Sequence, residues 1–148
     1  MRIYAIGDLH LSGQPPQKPM TIFGEHWANH WERIARDWRA RVRDEDLVLL
    51  AGDLSWGMKL DEALPDLLAI ADLPGRKLLV RGNHDYWWQS LSKMKAALSG
   101  RLEFLQNNFA ACQGLAVCGS RGWLLPEDPL FAASDAAIYQ RELLRTEA

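Results

Sequence analysis

Apolar residues in this chain form short runs that alternate with longer amphipathic stretches. Residues 2–6 alternate, which predicts a strand, and residues 47–51 and 77–81 are short apolar runs typical of buried strands in a parallel sheet. Each of the three stops at a glycine. The stretches between them repeat apolar residues at three- and four-residue spacing, which predicts helices. The order strand, helix, strand, helix, strand is typical of parallel βαβ units. We therefore predict an α/β fold.

The same periodicity predicts where the helices lie. The first is expected over about residues 25–43, and its apolar residues share one face that should pack on the core: Trp27, Trp31, Ile34, Trp38 and Val42. The second is expected in residues 60–71, with Pro65 at or near its start, where proline is tolerated. A third is expected over about residues 89–98, ended by Ser99 and Gly100.

After this helix the pattern changes to strands that follow directly on one another. The apolar segments LEFLQ, FAAC and LAVCG are separated by turn-forming pairs, Asn107-Asn108 and Gln113-Gly114. This predicts an antiparallel or mixed region. A last helix, capped by Ser134, is expected to run to Ala148.

Composition narrows the class of protein. The chain has 148 residues, which is about one domain, so we predict a single domain over residues 1–148. Charged residues make up 24% and the net charge is -2, so nucleic-acid and membrane-surface partners are not expected. No apolar stretch is long enough for a bilayer span or a signal peptide, so we expect a cytoplasmic protein. Cys112 and Cys118 are expected to be small buried thiols.

Candidate chemistry lies directly after the three glycines. The strings read GDLH, GDLS and GNHD, and they place Asp8, Asp53 and Asn83 where the predicted strands end. Sites in open α/β sheets lie outside the carboxyl ends of the strands, so these side chains should converge. If the first string is extended, Asp8 and His10 project to one side and can chelate one cation. Mixed oxygen and nitrogen ligands suit manganese, iron or zinc better than calcium.

In this order the three strings resemble the motifs of the calcineurin-like metallophosphoesterases, in a bacterial branch of predicted phosphohydrolases. The resemblance implies a two-sheet αββα sandwich and two divalent metal ions. Asp8 and His10 would hold the first ion, Asp53 would bridge both, and Asn83 would bind the second through its carbonyl oxygen.

The two residues that follow Asn83 in the third string complete the implied site. His84 would be the catalytic histidine beside the phosphate. We expect Asp85 to accept a hydrogen bond from His84 and set its tautomer, the usual work of a carboxylate beside a histidine. Trp56 and the run Tyr86-Trp87-Trp88 either line a substrate pocket or pack in the core.

The resemblance also implies histidine ligands in later segments, and here the chain departs from the family. Its histidines are His10, His26, His30 and His84. We interpret the chain as an N-terminal portion of the domain, with the C-terminal part of the sandwich missing, low activity alone and a tendency to self-associate. His26 and His30 stand four apart on a helix, but are expected to be solvated and half-buried rather than ligands.

These observations favour a metal-dependent phosphoesterase that hydrolyses a phosphomonoester or phosphodiester substrate. The alternative is a non-catalytic scaffold or inactive fragment that binds a protein partner. A nuclease would use the same metal chemistry, but no basic surface supports it.

Overall fold

A computed structural model describes residues 1–147, which divide into two compact units, Met1–Phe104 and the residues from Leu105 onward. A four-stranded sheet in the order β1-β2-β3-β4 lies in the first unit, except for Leu105 at the end of β4, which begins the second. The strands are β1 (Ile3–Ile6), β2 (Leu47–Leu50), β3 (Arg76–Val80) and β4 (Glu103–Leu105). The α-helices of the first unit are α1 (His30–Arg41), α2 (Leu60–Ala71) and α3 (Leu91–Ala97). Short 3-10 turns at Met20–Phe23 and Glu25–Trp27 precede α1.

The first three strands are parallel, as predicted. Ile3 pairs with Leu47, and Leu47 pairs in turn with Arg76, so β1, β2 and β3 begin in register. Because the three strands run in the same direction, the loops that follow them leave from one edge of the sheet. This edge carries the three glycine strings.

The core lies between this sheet and the helices. Trp38 and Val42 at the end of α1 and Leu67 and Ile70 in α2 are buried, as their spacing predicts. Full burial of one such aliphatic side chain is worth roughly 1.5–3 kcal/mol, so this face holds the crossovers on the sheet. Trp87 and Trp88 also belong to this core.

Helix α1 begins five residues later than the periodicity predicts, at His30 rather than residue 25. Asn29 has a φ of 51°, in the left-handed region, and so cannot continue a right-handed helix from the 3-10 turn before it. Asparagine adopts this conformation more readily than most residues. The prediction of one continuous helix was therefore wrong at its start.

The prediction for Pro65 was also wrong in position, because Pro65 lies inside α2 and not at its start. A proline there cannot donate a hydrogen bond to the preceding turn. Leu60, Ala63 and Leu67 nevertheless lie on the packed face of the helix, so burial of that face maintains the turn before the proline.

The second unit contains an antiparallel hairpin of β5 (Asn108–Cys112) and β6 (Leu115–Gly119), followed by α4 (Ala136–Glu147). Gln113 and Gly114 at its tip both have positive φ, as a two-residue hairpin turn requires. Cys112 is buried as predicted, but Cys118 is exposed.

The start of the last helix also differs from the prediction, since Ser134 lies within a 3-10 turn, Ala133–Asp135, that precedes α4. Its predicted end at Ala148 lies outside the described residues. Within residues 1–147, every helix is too short or too polar to cross a lipid bilayer.

Candidate metal centre

The loops after β1 and β2 run side by side and position the candidate ligands. The amide of Asp8 donates to the carbonyl of Gly52 at 3.0 Å, and the amide of His10 donates to the carbonyl of Asp53 at 3.0 Å. The amide of Leu11 donates to Leu54 at 2.9 Å. These bonds continue the β1–β2 pairing beyond the strands, so the two ligand strings are held against each other.

Asp8, His10 and Asp53 form a cluster that could hold a cation. Each offers one ligand atom, and these atoms lie within 4.8 Å of one another. Nε2 of His10 is 3.5 Å from Oδ1 of Asp8. Asp53 is buried and Asp8 is exposed, so the cluster opens to solvent on one side.

The three residues converge through unusual backbone conformations rather than through an extended segment. The φ angles of Asp8, His10 and Asp53 are 56°, 46° and 54°, all in the left-handed region. Our expectation that Asp8 and His10 meet because an extended chain alternates its side chains was therefore wrong in its reason. Residues in this region cost about 1–3 kcal/mol each and concentrate at functional sites.

Two of the glycines permit this arrangement, as the sequence suggested. Gly52 has a φ of 96°, and a Cβ there would overlap the backbone of Gly82. A Cβ on Gly82 would overlap the carboxylate and amide of Asp53. The loops after β2 and β3 can therefore touch only because neither glycine has a side chain.

His84 lies beside Asp53. Its amide donates to Oδ1 of Asp53 at 2.9 Å, and its Nδ1 is 3.0 Å from Oδ2. The side-chain amide nitrogen of Asn83, Nδ2, is also 3.0 Å from this Nδ1. A carboxylate can only accept and an amide nitrogen can only donate, so Asp53 is the partner to which a protonated Nδ1 donates. Asn83 itself is exposed at the head of this loop.

Asp85 does not have the position we predicted for it. Its carboxylate is fully buried, and it accepts hydrogen bonds from the amides of Asp53, Leu54 and Gly82 and from the indole of Trp87. The group that can set the tautomer of His84 is Asp53. Adjacency in sequence therefore does not predict a hydrogen bond between His84 and Asp85. The turn at residues 82–85 directs the two side chains to different partners.

Two supporting contacts escaped the sequence analysis. The ring of Trp56 stacks on His10, with centroids 4.7 Å apart and planes inclined by 23°. His30 donates from Nε2 to the carbonyl of Leu9 at 2.9 Å, between Asp8 and His10. His30 is thus half-buried as predicted, but it also holds the first ligand string. No spacing rule relates it to Leu9, because the contact spans 21 residues.

A metal ion fits the donors of this cluster. Nε2 of His10 lies 3.5 Å from Oδ1 of Asp8, so an imidazole nitrogen stands beside the carboxylates as a further donor. Two carboxylates within a few ångströms repel each other unless a positive charge lies between them. Both features favour a cation, and the mixed oxygen and nitrogen donors suit a transition metal.

The fold and the cluster define an α/β protein with metal-type ligands at the ends of parallel strands. The family model for calcineurin-like phosphoesterases matches residues 1–135, so the chain belongs to that family. This confirms the resemblance that the three strings indicate.

A solved structure shows the same fold. The chain matches the crystal structure of a protein of unknown function from Aquifex aeolicus with a TM-score of 0.57 and 20% identity. The match covers 98% of this chain and 73% of the other. The comparison with curated proteins found no match. Together with the family match, the structural match confirms the α/β metallophosphoesterase fold class.

Proposed function

We propose that the strand-end cluster is half of a dinuclear metal site that hydrolyses a phosphate ester. Asp8 and His10 would hold one divalent cation, Asp53 would bridge to a second, and Asn83 would bind that second ion. The observation that carries the proposal is the convergence of three donors within 4.8 Å, each on a left-handed residue. Manganese, iron or zinc is the expected metal.

The residues divide the work by their positions. Divalent cations bound here would supply positive charge that polarises a phosphoryl oxygen. Asp53 is buried, accepts a hydrogen bond from the His84 amide and lies 3.0 Å from the His84 Nδ1, so its carboxylate positions the imidazole. Asp8 is exposed and lies on the side from which a substrate can approach.

His84 is the proposed proton donor. With Nδ1 donating to Asp53, a protonated imidazole keeps its second proton at Nε2, where it can be passed to the leaving oxygen of the ester. Trp56 would hold the His10 ring in place by stacking.

The test is hydrolysis of p-nitrophenyl phosphate and bis(p-nitrophenyl) phosphate with added manganese, iron or zinc. We expect metal-dependent turnover that is removed by Asp53→Ala and by chelation. Asp37→Ala is the matched control, because it also removes an aspartate carboxylate, but from an exposed position of α1.

The two substrates separate monoesterase from diesterase activity. Turnover that persists in Asp53→Ala, or that is unaffected by chelation, would refute the proposed site. The cytoplasmic location and the self-association of the chain stay predictions.

A further inference from the structure

Asp85 is the best-connected polar side chain near the candidate centre, yet it is not one of the proposed ligands. Its relative exposure is 0%, and it lies among Leu54, Trp87 and the two glycine turns. A buried carboxylate is costly unless its oxygens are hydrogen-bonded. Its two oxygens therefore need hydrogen-bond donors from the surrounding residues.

Four donors fill the four acceptor positions of the two oxygens. Oδ1 accepts from the amide of Leu54 at 3.0 Å and from the indole nitrogen of Trp87 at 2.9 Å. Oδ2 accepts from the amide of Asp53 at 2.9 Å and from the amide of Gly82 at 2.8 Å. No position is left for a metal ion or for His84.

The donors belong to both ligand loops at once. The amides of Asp53 and Leu54 follow β2, and the amide of Gly82 follows β3 and immediately precedes Asn83. One oxygen, Oδ2, therefore joins the backbone that carries the proposed bridging ligand to the backbone that carries the ligand of the second ion. The indole of Trp87, itself fully buried, anchors the other oxygen in the core.

The hydrogen bond to Asp85 helps to hold Asp53 in an uncommon backbone conformation. The φ of Asp53 is 54°, a conformation that persists only where surrounding contacts over-determine it. Its amide is held by Asp85, its carbonyl accepts from the amide of His10, and its side chain accepts from His84. Of these, the bond to Asp85 is the one that ties it to the core.

We propose that Asp85 is a positioning residue that sets the spacing of the β2 and β3 ligand loops before any metal binds. The inference rests on the proposed metal site for its consequence, a lower metal affinity when Asp85 is changed. Its structural part, loops that are ordered without metal, stands on the hydrogen bonds alone.

The test compares Asp85→Asn with Asp46→Asn. An asparagine at 85 keeps the shape, but its amide nitrogen cannot accept, so two of the four donors lose their partner. Asp46 is the matched control: it is also buried, and it accepts from the amides of Arg2 and Arg43 at the opposite end of β2. Both variants should lose stability, which controls for the loss of a buried hydrogen-bonded carboxylate.

The readouts are Mn²⁺ affinity by calorimetry and amide hydrogen exchange at Asp53, Leu54 and Gly82 in the metal-free protein. We expect Asp85→Asn to raise the Kd about 10–100-fold, the usual effect of a residue that orients ligands, and to lose protection at the three amides. Asp46→Asn should change neither. An unchanged Kd in Asp85→Asn, or an equal rise in Asp46→Asn, overturns the inference.

A wild-type measurement decides the case in which Asp85→Asn does not fold. If the three amides exchange freely in the metal-free wild type and become protected only with Mn²⁺, the metal and not Asp85 orders the loops, and the inference fails. If the wild type binds no Mn²⁺, the proposed function fails. Protection that is present in wild type and Asp46→Asn but lost in Asp85→Asn still supports the structural part.

Discussion

The substitution Asp53→Asn separates the effect of the ligand cluster on the stability of the metal-free protein from its effect on metal binding. The substitution removes one of the two carboxylates in the cluster and retains the shape of the side chain. An asparagine oxygen can still accept from the amide of His84, but the charged acceptor for Nδ1 of His84 is lost. In the metal-free protein, the substitution therefore removes both the repulsion between Asp8 and Asp53 and the attraction between Asp53 and His84.

The two effects nearly cancel in the metal-free protein. Unit charges 4.8 Å apart interact by about 0.9 kcal/mol in a water-like dielectric and about 3.5 kcal/mol at a dielectric of 20. The Asp8 side chain is 74% exposed, so the lower figure applies to its repulsion with Asp53. Loss of a hydrogen bond to a charged group costs about 1.5–3 kcal/mol, and the 41% exposure of the His84 side chain places this bond at the lower end. The free energy of unfolding should therefore change by less than about 1 kcal/mol.

Bound metal should stabilise the wild type but not the Asp53→Asn variant. A ligand at 100 times its Kd stabilises the folded state by about 2.7 kcal/mol. At about 2–4 °C per kcal/mol for a domain of this size, the wild-type Tm should rise by about 5–11 °C. Asp53→Asn should show little or no rise.

The assay is thermal unfolding followed by circular dichroism, in chelator and in excess Mn²⁺. Asp37→Asn, which changes the net charge equally on the exposed side of α1, should respond to Mn²⁺ like the wild type. A full metal-induced shift in Asp53→Asn would refute the assignment of Asp53 as the central ligand. A large metal-free loss of stability in that variant would refute the near-cancellation.

Three further predictions follow from the site and its surroundings. His84→Ala should retain the Mn²⁺-induced Tm shift but lower kcat about 10²–10⁴-fold, the usual share of a proton donor; an unchanged kcat contradicts that role. Gly82→Ala places a Cβ on Asp53, and such overpacking costs about 1–3 kcal/mol, so it should abolish Mn²⁺ binding while circular dichroism stays native-like; retained binding contradicts the close approach. Burial raises the pKa of Asp66 above its ordinary 3.8, against the opposing hydrogen bond from Ser55, so its contribution to stability is full below that value and lost as pH rises through the higher folded pKa. Chemical denaturation across this window should show Asp66→Asn gaining on the wild type as pH rises; parallel curves would contradict the shift.

The ends of the strands could be predicted because the same local sequence pattern marks each of them. A short apolar run, a glycine and a polar residue place Asp8, Asp53 and Asn83 at one edge of a parallel sheet, and the structure has the strands there. The packed face of α2 follows from its three-and-four spacing in the same way. These features depend on local sequence, so local sequence predicts them.

The remaining features depend on contacts between distant residues or on rare backbone conformations. The positive φ of Asn29 that delays α1 and those of Asp8 and His10 are allowed but uncommon for their residue types, so no periodicity predicts them. The bonds of Asp85 to Asp53 and Leu54 cross more than 30 residues of sequence. Such contacts become visible only when the loops are folded together.

A divalent cation bound at the ends of β1 and β2 can be located directly, because bound Mn²⁺ broadens the nearby amide resonances of the ¹⁵N-labelled chain. We predict that sub-stoichiometric Mn²⁺ broadens the amides around Asp8, His10 and Asp53 first and most strongly. The amides at the start of the strands, such as Leu47 and Arg76, should be broadened less and serve as a comparison. Broadening centred on any other acidic residues, or spread evenly over the surface, would contradict the account.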